Sequence, residues 1–299
     1  MTPSRTDRGE LGPALARVND YLSLTKPGLT ATSVATAVGG AILGAPGGDA
    51  IPVAIHVLIG SGLLGGGAIA LNQVLERERD AAMKRTSRRP VASGKIPPTH
   101  AALFGGILVT AGLLYLLAFT HPMAAALGAC TLTLYLFVYT PLKTVTPYAT
   151  LVGAVPGALP PLIGWSAATG SVSLQGWVLF AILFFWQIPH FLALSWMYRE
   201  DYERGGYRFL PAVDPSGIVT GAQMVLYAAA LLVAAALPYF LGMRGPWYLV
   251  GVTLISLLFT GRCLLFLMKR SPARARAVFF WSLAYLPALA LLLLLDRNP

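Results

Sequence analysis

Residues 51–90 read IPVAIHVLIGSGLLGGGAIALNQVLERERDAAMKRTSRRP, and the change of character within this stretch decides the kind of chain. Ile51 to Asn72 contains no Asp, Glu, Lys or Arg, whereas Asn72 to Pro90 holds three acids and six bases. An uncharged run of that length suits an α-helix crossing roughly 30 Å of hydrocarbon. The charged burst marks where the helix leaves the bilayer. Asn72, Glu76 and Asp80 stand four apart, so on a helix they line one face a turn above one another. Three oxygen donors in a row suit a hard cation such as Mg2+, which usually shares its site with phosphates. Lys84, Arg85, Arg88 and Arg89 follow at once, cations able to hold a diphosphate, the arginines bidentately.

The rest of the chain agrees with a membrane origin. Its 299 residues are 56% hydrophobic and 11% charged, against about 25% charged in a soluble domain. Apolar runs fall at about 29–46, 51–72, 101–120, 122–141, 149–168, 174–197, 217–240, 246–268 and 277–295. Each is near the length of a spanning helix, and none alternates as a barrel strand would. The sequence therefore predicts an all-α integral membrane protein, a bundle of nine transmembrane helices. Residues 1–27 read as a polar leader without a signal-peptide core, and residues 28–299 as one transmembrane domain.

Nine spans also predict an orientation. With a cytoplasmic N-terminus and the C-terminus outside, the leader and segments 73–100, 142–148, 198–216 and 269–276 lie inside. They hold 19 of the 22 Lys and Arg residues, as the positive-inside rule requires. That bias gives the net charge of +10 a cause other than nucleic acid, for which no recognition module is present. The expected location is a bacterial inner membrane, with the active-site mouth cytoplasmic. Cys130 and Cys263 lack metal or haem-attachment spacing and read as small core residues.

Smaller features cluster at the same rim. Tyr139 and Lys143 end the fourth run one turn apart, within reach of a diphosphate. Gln187 and His190 lie inside the sixth run, where polar groups are costly and so become functional candidates. A second charged cap, Arg199 to Arg204, follows that run and contains Asp201. The glycines from Gly60 to Gly67 read as close helix packing rather than a phosphate loop, and Pro156, Pro160 and Pro161 are expected to break the fifth span. Acids, bases and an apolar bundle below them imply an amphiphilic diphosphate substrate. Metal and cations would steady the departing diphosphate, and the bundle would keep water from the carbocation.

Several motifs together make the chain resemble the haem branch of the UbiA-type intramembrane prenyltransferases, the protohaem IX farnesyltransferases. They are Lys26-Pro27, the row from Asn72 through Arg85-Thr86-x-x-Arg89-Pro90, Tyr139-Thr140-Pro141-Leu142-Lys143, Gly157-Ala158-x-Pro160-Pro161-x-x-Gly164-Trp165, Trp186-Gln187-x-Pro189-His190-Phe191 and Asp201-Tyr202 through Leu210-Pro211. The resemblance spans roughly residues 22–295. It implies transfer of farnesyl from farnesyl diphosphate to a vinyl group of haem b, with water addition, giving haem O and diphosphate. It further implies Mg2+ on Asn72, Glu76, Asp80 and Asp201, with Lys143 among the catalytic groups. Arg85, Arg88, Arg89, Tyr139, Gln187, His190 and Tyr202 would then bind substrate, His190 touching haem through iron or a propionate. Implied partners are the lipid bilayer and a haem A synthase or oxidase-assembly proteins. Two departures stand out: Glu76 replaces a common Asp, and Tyr207-Arg208-Phe209 replaces a small or Met-containing segment, with Gly205 precluding a second complete acidic row. A prenyltransferase acting on a quinone precursor or chlorophyllide, and a non-catalytic haem-handling protein or transporter, remain open as alternatives.

Overall fold

The computed structural model describes residues 13–45 and 50–296. Among them nine helices are long and apolar enough to cross a membrane. These are α2 (Pro27–Gly44), α3 (Ala50–Leu75), α5 (Pro98–Phe119), α6 (Pro122–Leu142), α7 (Ala149–Thr169), α8 (Leu174–Met197), α11 (Ile218–Phe240), α12 (Pro246–Met268) and α13 (Pro272–Leu295). Shorter helices sit between them: α1 (Pro13–Leu24), α4 (Arg77–Ala82), α9 (Arg199–Arg204) and α10 (Leu210–Val213). The chain is an all-helical multi-pass membrane protein. Arg5, Arg8 and Arg297, part of the charge argument above, lie outside the described residues.

Two circuits of neighbouring helices share a wall. Helices α2, α3, α5, α6 and α7 pack in a closed sequence, and α8, α11, α12 and α13 in another, with α7 against α8 between them. Small residues let the first circuit close. A Cβ on Gly164 would lie 1.7 Å from the Ala37 carbonyl oxygen, and one on Gly40 2.0 Å from that of Pro161, so α2 and α7 touch backbone to backbone. The Gly60–Gly67 segment does the same for α3 and α5, as the sequence suggests. Large side chains fill the second circuit, including Met224, Tyr248, Phe259, Phe266 and Tyr285.

Two expectations need correction, on the prolines and on Cys130. Pro156, Pro160 and Pro161 do not break the fifth span: α7 runs unbroken through all three, held between α2, α6 and α8. The segment read as a leader contains α1, whose Leu24 is fully buried against α3 and α5 residues. Cys130 is exposed on α6 and so is not a core residue, whereas Cys263 is buried. The last span also begins earlier than its apolar run, at Pro272, because Ser271 caps it through the Arg274 amide.

Candidate active site at the charged end of the bundle

Helix α3 stops at Leu75 and α4 begins at Arg77, so the row of oxygen donors crosses a helix junction rather than lying on one straight helix. The spacing survives because the turn does. The Glu76 amide donates to the Asn72 carbonyl (3.0 Å) and the Asp80 amide to that of Glu76 (2.8 Å). Asn72, Glu76 and Asp80 are all buried, at 5%, 4% and 1% exposure. Buried carboxylates need partners. Arg89 clasps both oxygens of Asp80 (2.6 and 2.5 Å), and the Lys143 ammonium donates to Glu76 (3.0 Å) across 67 residues of sequence. Asn72 donates to Glu76 (2.7 Å) and accepts from the Thr140 hydroxyl (2.8 Å).

Electrostatics at this end are set by burial and by these pairs. Burial works to raise the Glu76 carboxyl, but Lys143 and hydrogen bonds from Lys143, Tyr207 and Asn72 bring it below its ordinary value. For Asp80, burial prevails over Arg89 and the carboxyl is raised. The Lys143 ammonium lies 4.4 Å from the Tyr139 ring centroid, and the two residues are one turn apart as their spacing predicts.

The second charged cap plays a different part. Asp201 accepts from the amides of Lys84 (3.1 Å) and Arg85 (3.0 Å) and pairs with Arg204, so its oxygens fasten the loop after α4 to α9. Those donors hold its carboxyl below the usual range against the opposing effect of burial. Among the described residues no group of three or more His, Cys, Asp or Glu side chains is poised to hold a metal. Arg85 donates to the Tyr202 hydroxyl (3.0 Å) and lies over the rings of Tyr198 and Tyr202. Arg88 is exposed, and no ion pair joins it to the cluster among the described residues.

Gln187 and His190 are held deeper, away from these charges. Gln187 donates to the carbonyls of Ala154 (2.9 Å) and Leu183 (3.1 Å), and Gly157 gives its amide oxygen room. His190 Nδ1 lies 2.7 Å from the Ser282 hydroxyl, with the ring stacked between Trp186 and Phe279. Both are packed and partnered.

Thr140, Tyr207 and Lys26 gain roles that the sequence did not assign. Thr140 orients Asn72, and Tyr207 hydrogen-bonds Glu76. Tyr207 is 4% exposed and stacks on Phe209, with Tyr202 edge-on to both, so the unusual Tyr207-Arg208-Phe209 segment is the aromatic wall of the site. Lys26 is the one non-glycine residue with positive φ among those described (φ 43°, ψ 68°), and it precedes a proline. Such a conformation costs on the order of 1–3 kcal/mol and persists only where its surroundings dictate it. Here they do: Gln73 on α3 donates to the Leu24 carbonyl (2.8 Å), Thr30 to that of Thr25 (2.6 Å), and the Lys26 carbonyl accepts from Leu29 and Thr30. The Lys26 ammonium senses Arg89, Asp80, Arg85 and Glu76; burial, then Arg89, lowers its ionisation to about 8.

An intramembrane bundle with buried carboxylates and cations at one end defines a class, and the comparisons agree. Residues 33–284 match the UbiA prenyltransferase family, and the chain belongs to that family of membrane prenyltransferases. Within it the chain groups with relatives named Protoheme IX farnesyltransferase. That of Solibacter usitatus is 43% identical, over 94% of this chain and 99% of its own. That of Salinibacter ruber is 44% identical, over 93% and 98%. Among solved structures, a digeranylgeranylglyceryl phosphate synthase superposes with TM-score 0.78 at 19% identity, covering 93% of this chain and 97% of its own. A UbiA homologue from Archaeoglobus fulgidus, bound to GPP and Mg2+, superposes with TM-score 0.62 at 15% identity, covering 92% and 99%.

The donor set here fits Mg2+. It consists of two carboxylates and an amide oxygen, all hard donors, and Mg2+ needs only one or two carboxylates when phosphates and water complete its shell.

Proposed function

We propose that this chain transfers the farnesyl group of farnesyl diphosphate to a vinyl group of haem b, giving haem O and diphosphate. The observation that carries the reading is the pair of buried carboxylates, Glu76 and Asp80, each already clasped by a cation at the mouth of an apolar bundle. The diphosphate would draw Arg89 and Lys143 towards its oxygens and release the two carboxylates. Asn72, Glu76 and Asp80 would then hold Mg2+. A bound Mg2+ supplies Lewis-acid stabilisation of the charge that builds on departing diphosphate.

The remaining chemistry belongs to the chain and its substrates. Lys26, Arg85, Arg89 and Lys143 hold the diphosphate as the allylic C–O bond breaks and its electron pair leaves with oxygen. Tyr202 and Tyr207 remain protonated hydroxyl donors, because burial raises both. The vinyl terminus of haem attacks the allylic carbon within apolar helix walls that keep water from the cation. Water then adds at the vinyl α-carbon, with loss of a proton, leaving a hydroxyethylfarnesyl chain. Asp201 positions Arg85 from behind rather than binding metal. The charged end is assigned to the cytoplasm on the distribution of Lys and Arg.

The test is incubation of the purified protein with haem b, farnesyl diphosphate and Mg2+, followed by mass analysis of the pigment. A haem carrying farnesyl plus water is the expected product. Unaltered haem, with a quinone precursor prenylated under the same conditions, would overturn the assignment.

A further inference from the structure

Beside the active site, on the far side of the Arg85–Asp201 junction, the same end of the bundle carries an open cleft of about 1040 Å³. Four separate stretches of chain converge on it. Lys84 and Arg85 come from the loop after α4, Arg199 and Arg204 from α9, and Lys269 and Arg270 from the link between α12 and α13; the approach to α11 adds Pro215 and Ser216. Against these six cations stand two carboxylates. Asp201 is spent on the Lys84 and Arg85 amides and on Arg204, which leaves Glu200. Of the six, only Arg204 has an ion-pair partner among the described residues.

A general excess of base at a cytoplasmic face would leave such side chains separate and solvated. Here three of them are held. Arg85 lies between Tyr198 (5.3 Å) and Tyr202 (5.4 Å), Arg199 lies 5.1 Å over the Trp196 ring, and Arg270 donates to the Leu267 carbonyl (2.8 Å). Trp196 itself is buried, and Gly217, at φ +69°, sits so close that a Cβ would lie 2.5 Å from its ring. The cleft is also amphipathic. Its lining includes Trp196, Met197 and Met268, and exposed apolar side chains continue on the adjoining helices, Ile218 on α11 and Leu264 and Met268 on α12. A free anion needs no apolar wall; the headgroup of an amphiphile does.

We propose that this cleft is a binding site for the phosphate headgroup of an anionic membrane phospholipid, with the acyl chains lying along α11 and α12. Basic pockets between helices at a membrane's charged face recognise such headgroups through several cations at once. Guanidinium groups add bidentate geometry for phosphate oxygens. The cleft shares Arg85 with the diphosphate site, whereas Lys269 and Arg270 belong to the cleft alone, and the proposal does not depend on which acceptor the enzyme prenylates. It would anchor the α9 segment, and through Asp201 the Arg85 loop, to the lipid surface.

The test uses the full-length protein in detergent and native mass spectrometry to measure its affinity for phosphatidylglycerol and for phosphatidylcholine. The wild type should prefer phosphatidylglycerol by at least about tenfold, falling as salt screens the contact. Lys269→Glu with Arg270→Glu should erase that preference while leaving turnover in lipid-free detergent unchanged, which also shows the variant is folded. Lys269→Arg with Arg270→Lys should keep it. The control Arg77→Glu with Lys95→Glu changes net charge equally at another part of the rim and should also keep it. Equal affinity for the two lipids would overturn the proposal, as would equal loss in the Arg77/Lys95 control. A third arm uses inorganic diphosphate. If the Lys269/Arg270 variant loses affinity for it while the wild type shows no lipid preference, the cleft is a free-anion site and the lipid assignment fails.

Discussion

Lys26 shows how a single residue can be placed by backbone strain that the sequence does not announce. Its motif partner Pro27 is visible in the sequence, but the left-handed turn, the clamp from Gln73 and the approach to Asp80 and Glu76 are tertiary facts. A lysine whose ionisation is lowered to about 8 is charged below that pH and neutral above it. Apparent kcat/KM for farnesyl diphosphate should therefore fall as pH rises through about 8. Lys26→Met should lower kcat/KM about 10- to 100-fold at pH 7, the worth of a charged hydrogen bond, and remove that limb. A pH profile unchanged by the substitution would exclude Lys26 from the diphosphate site. Asp201 permits a sharper test. As a positioning residue, Asp201→Asn should raise KM for farnesyl diphosphate about tenfold through a loosened Arg85 loop without altering the Mg2+ concentration needed for half-maximal rate. Asp80→Asn should lower kcat about 10²- to 10³-fold and raise that Mg2+ requirement. If Asp201→Asn raises it equally, Asp201 is a metal ligand after all.

At the scale of elements, spans were legible and contacts were not. Each apolar run became a helix because twenty or so uncharged residues have no other way to satisfy their backbone in lipid. The row Asn72, Glu76, Asp80 was legible for the same reason: its period matches the helical turn, and the turn persists across the α3–α4 junction. What sequence spacing could not convey was partnership across helices, such as Lys143 with Glu76 or Thr140 with Asn72. Nor could it show that Asp201 caps the backbone amides of Lys84 and Arg85. Tyr207 looked like a departure from pattern and is instead a wall of the site. The three prolines of α7 illustrate the converse, a local rule overridden because neighbouring helices hold the segment straight. The α2–α7 contact makes this measurable. Gly164→Ala must force the helices apart, since its Cβ would meet Ala37 at 1.7 Å, and should destabilise by about 1–3 kcal/mol. Gly106→Ala, which meets nothing within 4 Å, should be neutral or slightly stabilising. Thermal unfolding in detergent compares the two, and equal effects would mean that the close approach carries no load.

For the whole molecule, the distribution of charge makes a prediction that the helix packing alone does not. All four segments that were read as inner and follow the leader in the sequence, from 73–100 to 269–276, carry base, and they supply Glu76, Asp80, Arg89 and Lys143 to the active site and all six cations to the basic cleft. At the other end, Arg244 is the one described base outside the spans, and Asp296 accepts from the Tyr248 amide there. The positive-inside rule predicts that this end of the bundle, with the site, opens to the cytoplasm. Two exposed positions distinguish the ends: Glu203 beside the site and Ser171 in the link between α7 and α8. In intact cells a membrane-impermeant thiol reagent should label Ser171→Cys but leave Glu203→Cys unreacted until the cells are lysed, in a background with Cys130 and Cys263 replaced by Ala. Labelling of Glu203→Cys in intact cells would place the site outside. The charge argument would then fail, because the basic segments would lie on the outer face.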